Sequence, residues 1–188
     1  ARADAFGSIT RDRRAALWEA LARPDQVRSQ PLLDCLPSDD DLPHQLQPAS
    51  LQADVFADYQ STGLSLRAHP ISFYRAEMDR RDVKRADQLP ALANNQRVAV
   101  AGLVLLRQRP STAKGITFVT LEDETGVVNL VVHQPIWRRY HRVTRHAPAW
   151  LVHGHVECKD AVIHVVARRI EHLAKYFSEL KTHSRDFR

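Results

Sequence analysis

Residues 97–133 read RVAVAGLVLLRQRPSTAKGITFVTLEDETGVVNLVVH, and this stretch determines the predicted fold. Its first part, Arg97–Arg107, is almost continuously apolar, which predicts a strand that is buried on much of both faces or one that bends. The segment Gln108–Gly115 follows, and its proline, small residues and two cations predict a loop before the next strand.

Alternation and a tight turn predict the next two strands. Side chains along Ile116–Glu122 alternate between the two sides of a strand. One side carries Ile116, Phe118 and Thr120, and the other carries Thr117, Val119 and Leu121. Asp123–Gly126 predicts a turn, because acidic residues favour turns and Gly126 can supply a positive φ. Val127–Val132 is then the returning strand.

A short helix and two further strands complete the pattern. Pro135–Thr144 is amphipathic, with Ile136, Trp137, Tyr140 and Val143 on its apolar side and Arg138, Arg139 and Arg142 on its polar side. Ala149–Glu157 and Val162–Ile170 predict strands joined by a turn at Lys159-Asp160. Three strands, a helix and two strands are the order of an OB-fold. We therefore predict a mixed protein, with a five-stranded antiparallel OB-fold β-barrel over residues 96–172 preceded by a small helical segment.

The barrel is flanked by other segments. Residues 1–23 predict the end of a helical module, and residues 24–50 predict a linker because five prolines interrupt any helical period. Residues 173–188 predict a tail that is helical at first and then frayed.

Residues 51–95 predict a helical segment that packs on the barrel. In its first helix, Ser50 is the predicted N-cap and Gly63 ends the helix. One face of this helix is apolar, with Leu51, Val55, Phe56 and Tyr59. A second helix is predicted over Ile71–Arg81, and His69 before it is expected to have a structural role at the helix start.

Positive charge is concentrated in the second half of the chain. The whole chain has a formal net charge of +5, but residues 97–188 hold 15 Lys and Arg against 8 Asp and Glu, a balance of +7. This excess favours a polyanion such as nucleic acid as partner over a merely solvated surface. The chain has no membrane-length apolar run, and its two cysteines, Cys35 and Cys158, form no CxxC pattern, so we expect a cytoplasmic protein with free thiols.

The sequence shows no catalytic constellation. Its acidic clusters, Asp39–Asp41 in the linker and Glu122–Glu124 in the predicted turn, do not supply the carboxylates from separate rigid elements that two-metal catalysis requires. Four potential zinc ligands fall near one another on the last two predicted strands: His153, His155, Cys158 and His164. A polar strand face is the favoured interpretation, and we predict no metal site and no catalytic residue.

OB-folds bind single strands on the face of their second and third strands, between the loop joining strands one and two and the loop joining strands four and five. The candidate residues at these places are Arg107, Arg109 and Lys114 in the first loop, Lys159 in the second, and Phe118 and Thr120 on the second strand. If Val119 and Leu121 face the barrel, Phe118 faces outward as a stacking platform for a base. The opposite parity puts Phe118 in the core, and the sequence leaves both open.

Several stretches resemble a known family. GLVLLRQRPSTAKGITFVTLEDETGVVNLVVH, VIHVVARRIEHL and the ending SRDFR are similar to the C-terminal region of the bacterial error-prone (ImuC-type) DNA polymerases, C-family enzymes related to the DNA polymerase III alpha subunit. DYQSTGLSLRAHPISFYR resembles the family's segment before its OB domain, and ADAFGSITRDRRAALWEAL resembles the exit from its helix-hairpin-helix region.

The resemblance implies a fragment of a DNA-directed DNA polymerase used in damage-induced mutagenesis and translesion synthesis, with an OB domain that binds single-stranded DNA template. The family's catalytic aspartates and their Mg²⁺ belong to its palm domain, and no residue here matches them, so no cofactor is expected in this segment. The implied partners are DNA, a Y-family-like accessory protein and the sliding clamp, and no membrane. The alternative is a protein-interaction module that docks the polymerase to the accessory protein or the clamp, for example through Gln30–Leu36.

Overall fold

The structure is a computed structural model, and it describes residues 13–22, 48–113, 115–159, 162–173 and 185–187. The helices of this part of the chain are α1 (Arg13–Ala22), α2 (Leu51–Thr62), α3 (Arg75–Arg80), α4 (Gln134–Arg139) and α5 (His141–His146). Short 3-10 helices span Pro70–Tyr74, Ala86–Ala91 and Ser111–Ala113. The strands are β1 (Val83–Lys84), β2 (Arg97–Gln108), β3 (Thr117–Asp123), β4 (Gly126–Val132), β5 (Ala149–Lys159), β6 (Val162–His172) and β7 (Arg185–Phe187).

Strands β2 to β6 form a closed barrel. The pairing order is β2, β3, β4, β6 and β5, and β5 pairs back with β2. All of these pairs are antiparallel except that of β4 with β6, which is parallel. The helices α4 and α5 connect β4 to β5. This is the strand order and connection of an OB-fold, so the predicted five-stranded barrel is confirmed.

The barrel has an apolar interior that includes Val100, Val119, Leu121, Leu130 and Trp150, all fully or almost fully buried. The apolar side of the connection packs against this core through Ile136, Trp137, Tyr140 and Val143. The four residues predicted to form the apolar side are therefore confirmed. The single predicted helix is wrong, because the structure has two short helices, α4 and α5, which meet at Tyr140.

A second apolar core lies on the outside of the barrel, beneath the helical segment. Its members from the helical segment include Val55, Phe56, Ile71 and Met78, and its members from β2 and β5 are Ala101, Leu103, Ala149 and Leu151. Neighbouring positions of β2 therefore contribute to different cores, since Val100 belongs to the interior and Ala101 to the outer core. This explains why the apolar run of β2 is continuous, and the prediction of a strand buried on both faces is confirmed.

Two of the predicted helix boundaries are confirmed. The hydroxyl of Ser50 accepts a hydrogen bond from the backbone N–H of Ala53 at 3.2 Å, which makes Ser50 the N-cap of α2. Gly63 ends the helix in the left-handed region at a φ of 79°. Of the four residues on the predicted apolar face, Val55, Phe56 and Tyr59 are buried and Leu51 is exposed. The predicted helix Ile71–Arg81 is instead the 3-10 helix at residues 70–74 followed by α3.

The turn between β3 and β4 fixes the helical segment to the barrel. The buried carboxylate of Asp123 accepts hydrogen bonds from the backbone N–H groups of Thr125 at 2.7 Å, Gly126 at 3.0 Å and Ala86 at 2.8 Å. The guanidinium of Arg75 makes a bidentate pair with Glu124, with one of the two bonds at 2.8 Å. The acidic residues thus hold the turn, as predicted, and also clamp it to the helical segment.

Two short strands extend the sheet beyond the predicted barrel. Both pair in parallel with β2, β1 through Val83 opposite Ala99 and β7 at residues 106–108. The prediction of a frayed end is wrong for residues 185–187, and the part of the tail predicted to be helical lies outside the described residues. Most of the predicted linker, with Gln30–Leu36, also lies outside them. A helix within residues 1–23 is confirmed as α1. None of the helices in the described ranges combines the length and apolarity that crossing a membrane requires.

Candidate nucleic-acid interface

The outward face of β3 and β4 is exposed at Phe118, Val127 and Asn129, whereas the helical segment packs on the outside of β2 and β5 at Ala101, Leu103, Ala149 and Leu151. Val119 and Leu121 are buried in the barrel, so Phe118 and Thr120 point outward. Of the two parities that the sequence leaves open, the first is therefore correct. Phe118 is 37% exposed, and its neighbours across the sheet are Gln108 on β2 and Val131 on β4. An aromatic ring in this position can stack with a base.

The row that begins at Phe118 continues across the sheet into a groove. Val131 on β4 pairs with Val166 on β6, and Val166 pairs with His155 on β5. Both Val166 and His155 line a groove of about 460 Å³, together with Asn95, His133, Ile136, Glu157, Ala167 and Arg168. The groove is open to solvent at residues such as His133 and Arg168, which are exposed. Val166, Ala167 and Ile136 give the groove an apolar part that suits a planar base. His155 and Arg168 can contact a phosphate, and the carboxylate of Glu157 lines the groove beside them.

A parallel row of outward positions is polar. Thr120 lies opposite Asn129, Asn129 is paired with His164, and His164 is opposite Glu157. The hydroxyl, amide and imidazole groups of this row can donate hydrogen bonds to phosphate oxygens or exchange them with base edges. The two rows together give a surface in which Phe118 and two valines lie beside polar groups.

The loop between β2 and β3 lies beside the start of α4. A Cβ atom at Gly115 would be 3.3 Å from the carboxamide of Gln134, so the end of the loop is close to the first residue of α4. Arg109 is exposed in this loop, as predicted. Lys114 lies outside the described residues.

Arg107 does not lie in the loop, and here the sequence prediction is wrong. It is a residue of β2 and only 7% exposed, with its guanidinium 5.5 Å from the ring centre of Trp150 and donating to the carbonyl oxygen of Ala147 at 2.8 Å. The cause is a bulge between Val104 and Leu106, which reverses the alternation of β2 and turns Arg107 inward. Its guanidinium thus contacts Trp150 and Ala147, and its side chain is not presented to solvent.

Lys159 is exposed, but it is the last residue of β5 and pairs with Val162, so the prediction that it lies in a turn is wrong. The four potential zinc ligands on β5 and β6 do not come together: within the described part of the chain, no three His, Cys, Asp or Glu side chains are placed to hold a metal ion. His153 instead contacts the carboxylate of Glu171 at 3.2 Å, and His155 accepts a hydrogen bond from Arg168 at 3.3 Å.

Sequence reasoning missed the groove, because its residues come from four distant stretches of the chain. Val131, Val166 and His155 become neighbours only through the pairing of β4 with β6 and of β6 with β5. Neither register is encoded by a local motif. The sequence shows that these strands are apolar, but it does not show which of their residues lie side by side in the sheet.

The chain matches known proteins in two ways. Residues 98–173 match the family described as "OB-fold nucleic acid binding domain". Over its full length the chain is 51% identical to an error-prone DNA polymerase of Rhodopirellula baltica, covering 16% of that protein. It is 45% identical to the error-prone DNA polymerase of Caulobacter vibrioides, with 96% of the chain and 17% of that protein aligned, and 40% identical to error-prone DNA polymerase 1 of Rhizobium meliloti, with 100% and 17% aligned.

The chain spans about one sixth of the length of these relatives. The match to the OB-fold family covers the barrel described above, and the match to the polymerases also includes the helical segment and α1. The resemblance seen in the sequence is therefore confirmed. Over its full length the chain is similar to a segment of the error-prone DNA polymerases, and residues 98–173 of it match an OB-fold nucleic acid binding domain.

Proposed function

We propose that this segment binds single-stranded DNA template on the outward face of β3 and β4, as part of an error-prone DNA polymerase that acts in translesion synthesis after DNA damage in the cytoplasm. Phe118 stacks with a base, Thr120 donates a hydrogen bond, and Arg109, Lys114 and Lys159 neutralise phosphates. The polymerase chemistry itself, with its Mg²⁺, belongs to other parts of the parent protein.

The observation that carries the proposal is the exposed ring of Phe118 at the start of a row that leads through Val131 and Val166 into the groove. Covering an exposed apolar side chain with a partner removes its surface from water, which favours binding. A stacked base covers an aromatic ring without requiring sequence-specific contacts, which suits a template of any sequence. The net charge of +7 on residues 97–188 supports a polyanionic strand as that partner.

The test is a titration of fluorescently labelled oligo-dT with the purified protein, followed by anisotropy over a range of salt concentrations. We expect the logarithm of the binding constant to fall linearly with the logarithm of the salt concentration, with a slope of about 0.7 per phosphate contact. Phe118→Ala should weaken it by about 1–3 kcal/mol, or roughly 5- to 150-fold in Kd, because one stacked base is lost. Phe118→Trp should retain binding, since it retains the stacking surface.

Val127→Ala is the matched control. Val127 is an exposed apolar residue on the same β-hairpin, paired with Glu122 near the turn and about 13 Å along the strand from Val131, beside Phe118. Its truncation should leave DNA affinity unchanged. If both truncations weaken binding equally, the loss is not specific to stacking on Phe118. If wild-type protein binds no oligo-dT even at low salt, the face does not bind single strands.

The second candidate function is docking to the accessory protein or the sliding clamp. It is favoured by the turn after α2, where Leu64 is 57% and Leu66 is 97% exposed. The helical segment carries these leucines, so a partner there would not compete with DNA on the barrel. A pull-down with purified clamp and accessory protein, comparing wild type with Leu64→Ser/Leu66→Ser, tests this candidate. Retention of both partners by the variant would remove this turn as their docking site.

A further inference from the structure

The connection between β4 and β5 presents arginines without acidic neighbours. Residues 125–156 contain four arginines, Arg138, Arg139, Arg142 and Arg145, and no aspartate or glutamate. We propose that α4 and α5 form a second contact surface for single-stranded DNA, which binds the phosphate backbone of the same strand after it leaves the face of β3 and β4. This proposal rests on the proposed function and extends its footprint.

The four arginines of α4 and α5 are all exposed, and within the described part of the chain none forms an ion pair with a carboxylate. Other arginines differ in this respect: Arg75 pairs with Glu124, Arg80 with Glu77, and Arg81 with Glu171. Adjacent guanidinium groups repel one another, and this repulsion is relieved when a polyanion binds.

The scaffold holds these side chains on one side of a firmly packed element. Ile136, Trp137, Tyr140 and Val143 pack against the barrel core, so the polar side of α4 and α5 faces solvent. Thr144 is fully buried, and its hydroxyl donates toward the carbonyl oxygen of His141 at 3.2 Å. A surface anchored in this way loses little conformational freedom of the backbone when it binds a ligand.

The position of α4 makes the two surfaces continuous. β4, which carries Val131 beside Phe118, ends at Val132, and α4 begins two residues later at Gln134. His133 between them lines the groove. The end of the loop that carries Arg109 lies against Gln134 through Gly115. A strand that leaves the aromatic row at this edge therefore meets the helices next.

The side-chain chemistry favours phosphate. All the cations of α4 and α5 are arginine and none is lysine, and the planar guanidinium matches the geometry of a phosphate with two parallel N–H donors. Such contacts position a strand without reading its bases. Among the described residues that line the groove, Glu157 is the one carboxylate, and it lies on the side formed by β5. A strand on the α4 side avoids it.

The test compares two triple variants of the whole chain by anisotropy. Arg138→Ala/Arg142→Ala/Arg145→Ala removes three charges from the proposed surface, and Arg80→Ala/Arg81→Ala/Arg169→Ala removes three from exposed positions elsewhere. Each is titrated with oligo-dT of about 4 and about 16 nucleotides, the range of site sizes for one OB-fold. We expect the first variant to lose affinity for the long oligonucleotide but not for the short one. Its salt slope on the long one should fall by about 2, which is three contacts at about 0.7 each.

The outcomes separate the two proposals. If the first variant matches the control variant on both lengths while Phe118→Ala still weakens binding, the helices are not a DNA surface and the face remains one. If Phe118→Ala has no effect but the first variant loses binding, the helices bind DNA and the proposed face fails. If a poly-glutamate peptide of equal charge binds wild type as tightly as DNA does, and the first variant loses it, the surface belongs to an acidic protein segment. Circular dichroism of each variant confirms that it is folded.

Discussion

Acidification from pH 7 to pH 5 should destabilise the fold through His69. This histidine precedes the 3-10 helix at residues 70–74, and its Nδ1 accepts a hydrogen bond from the backbone N–H of Ile71 at 3.2 Å. Its side chain is 11% exposed and lies edge-on to the ring of Tyr59 at 6.1 Å. Burial is the main cause that lowers the pKa of His69 to about 4, and the charge of Arg75 lowers it further. The carboxylates of Glu124 and Asp123 oppose this by raising the pKa.

The magnitude follows from linkage between protonation and folding. Above pH 6.5 the histidine is neutral in the folded and the unfolded chain, and its contribution to stability is fully present. As the pH falls from 6.5 toward 4, only the unfolded chain takes up the proton, so stability is lost. The loss is about 2 kcal/mol at pH 5 and reaches about 3 kcal/mol below pH 4. Burial raises the pKa of Glu122, which is 3.8 Å from His69, so its protonation partly opposes this loss.

Urea denaturation at pH 7, 6 and 5 measures the effect. With a slope of about 2 kcal/mol per molar urea, the wild-type midpoint should fall by about 1 M between pH 7 and pH 5. His69→Asn is the comparison, because asparagine retains an acceptor for the backbone N–H of Ile71 but does not titrate. Its midpoint should change much less than that of wild type over this range. Parallel pH profiles for the two proteins would refute the assignment of the effect to His69.

Three further predictions concern the barrel and its clamp. Arg75→Ala should lower the stability measured by urea denaturation by about 2 kcal/mol, because it leaves the half-buried carboxylate of Glu124 without its partner. Adding Glu124→Ala should recover part of this loss, and strictly additive effects would contradict the coupling of Arg75 with Glu124. Arg107→Ala should cost about 2 kcal/mol of stability and leave the salt dependence of oligo-dT binding unchanged, because its guanidinium is buried against Trp150 and Ala147. Arg109→Ala should lower the slope of that salt dependence by about 0.7 and leave stability unchanged, and the reverse pattern would contradict the burial of Arg107. Gly154→Ala should cost about 1–3 kcal/mol, read from the thermal midpoint, because its Cβ would overlap a backbone carbonyl oxygen of β6; an unchanged midpoint would mean that the strands can separate locally at no cost.

The strand order of the barrel could be predicted from sequence because each element carries its own signal. The Asp123–Gly126 turn, the amphipathic Pro135–Thr144 stretch and the apolar strands are all local patterns. The parity of β3 could not be predicted, since Phe118 and Val119 are both apolar and either fits a core. The structure resolves it because Val119 and Leu121 fill the barrel while Phe118 is left beside Val131 on the outside.

Arg107 shows a different limit of the sequence. A cation at the end of an apolar strand predicts the start of a loop, and strict alternation would place it away from the interior. The bulge at Leu105 adds one residue and reverses the side on which Arg107 lies. A bulge leaves no mark in composition or period, so the buried cation and its contact with Trp150 could be found only from the strand register.

The sharing of β2 between two apolar cores makes the helical segment and the barrel one unit of folding. A protein that begins at residue 96 would keep all five barrel strands but expose Ala101, Leu103, Ala149 and Leu151 to water. Such an apolar surface favours self-association. The shortest piece that folds alone therefore has to include α2 and α3, although the face proposed to bind DNA lies entirely on the barrel. Loss of packing in α2 should then lower the melting temperature of the barrel as well, in a single transition.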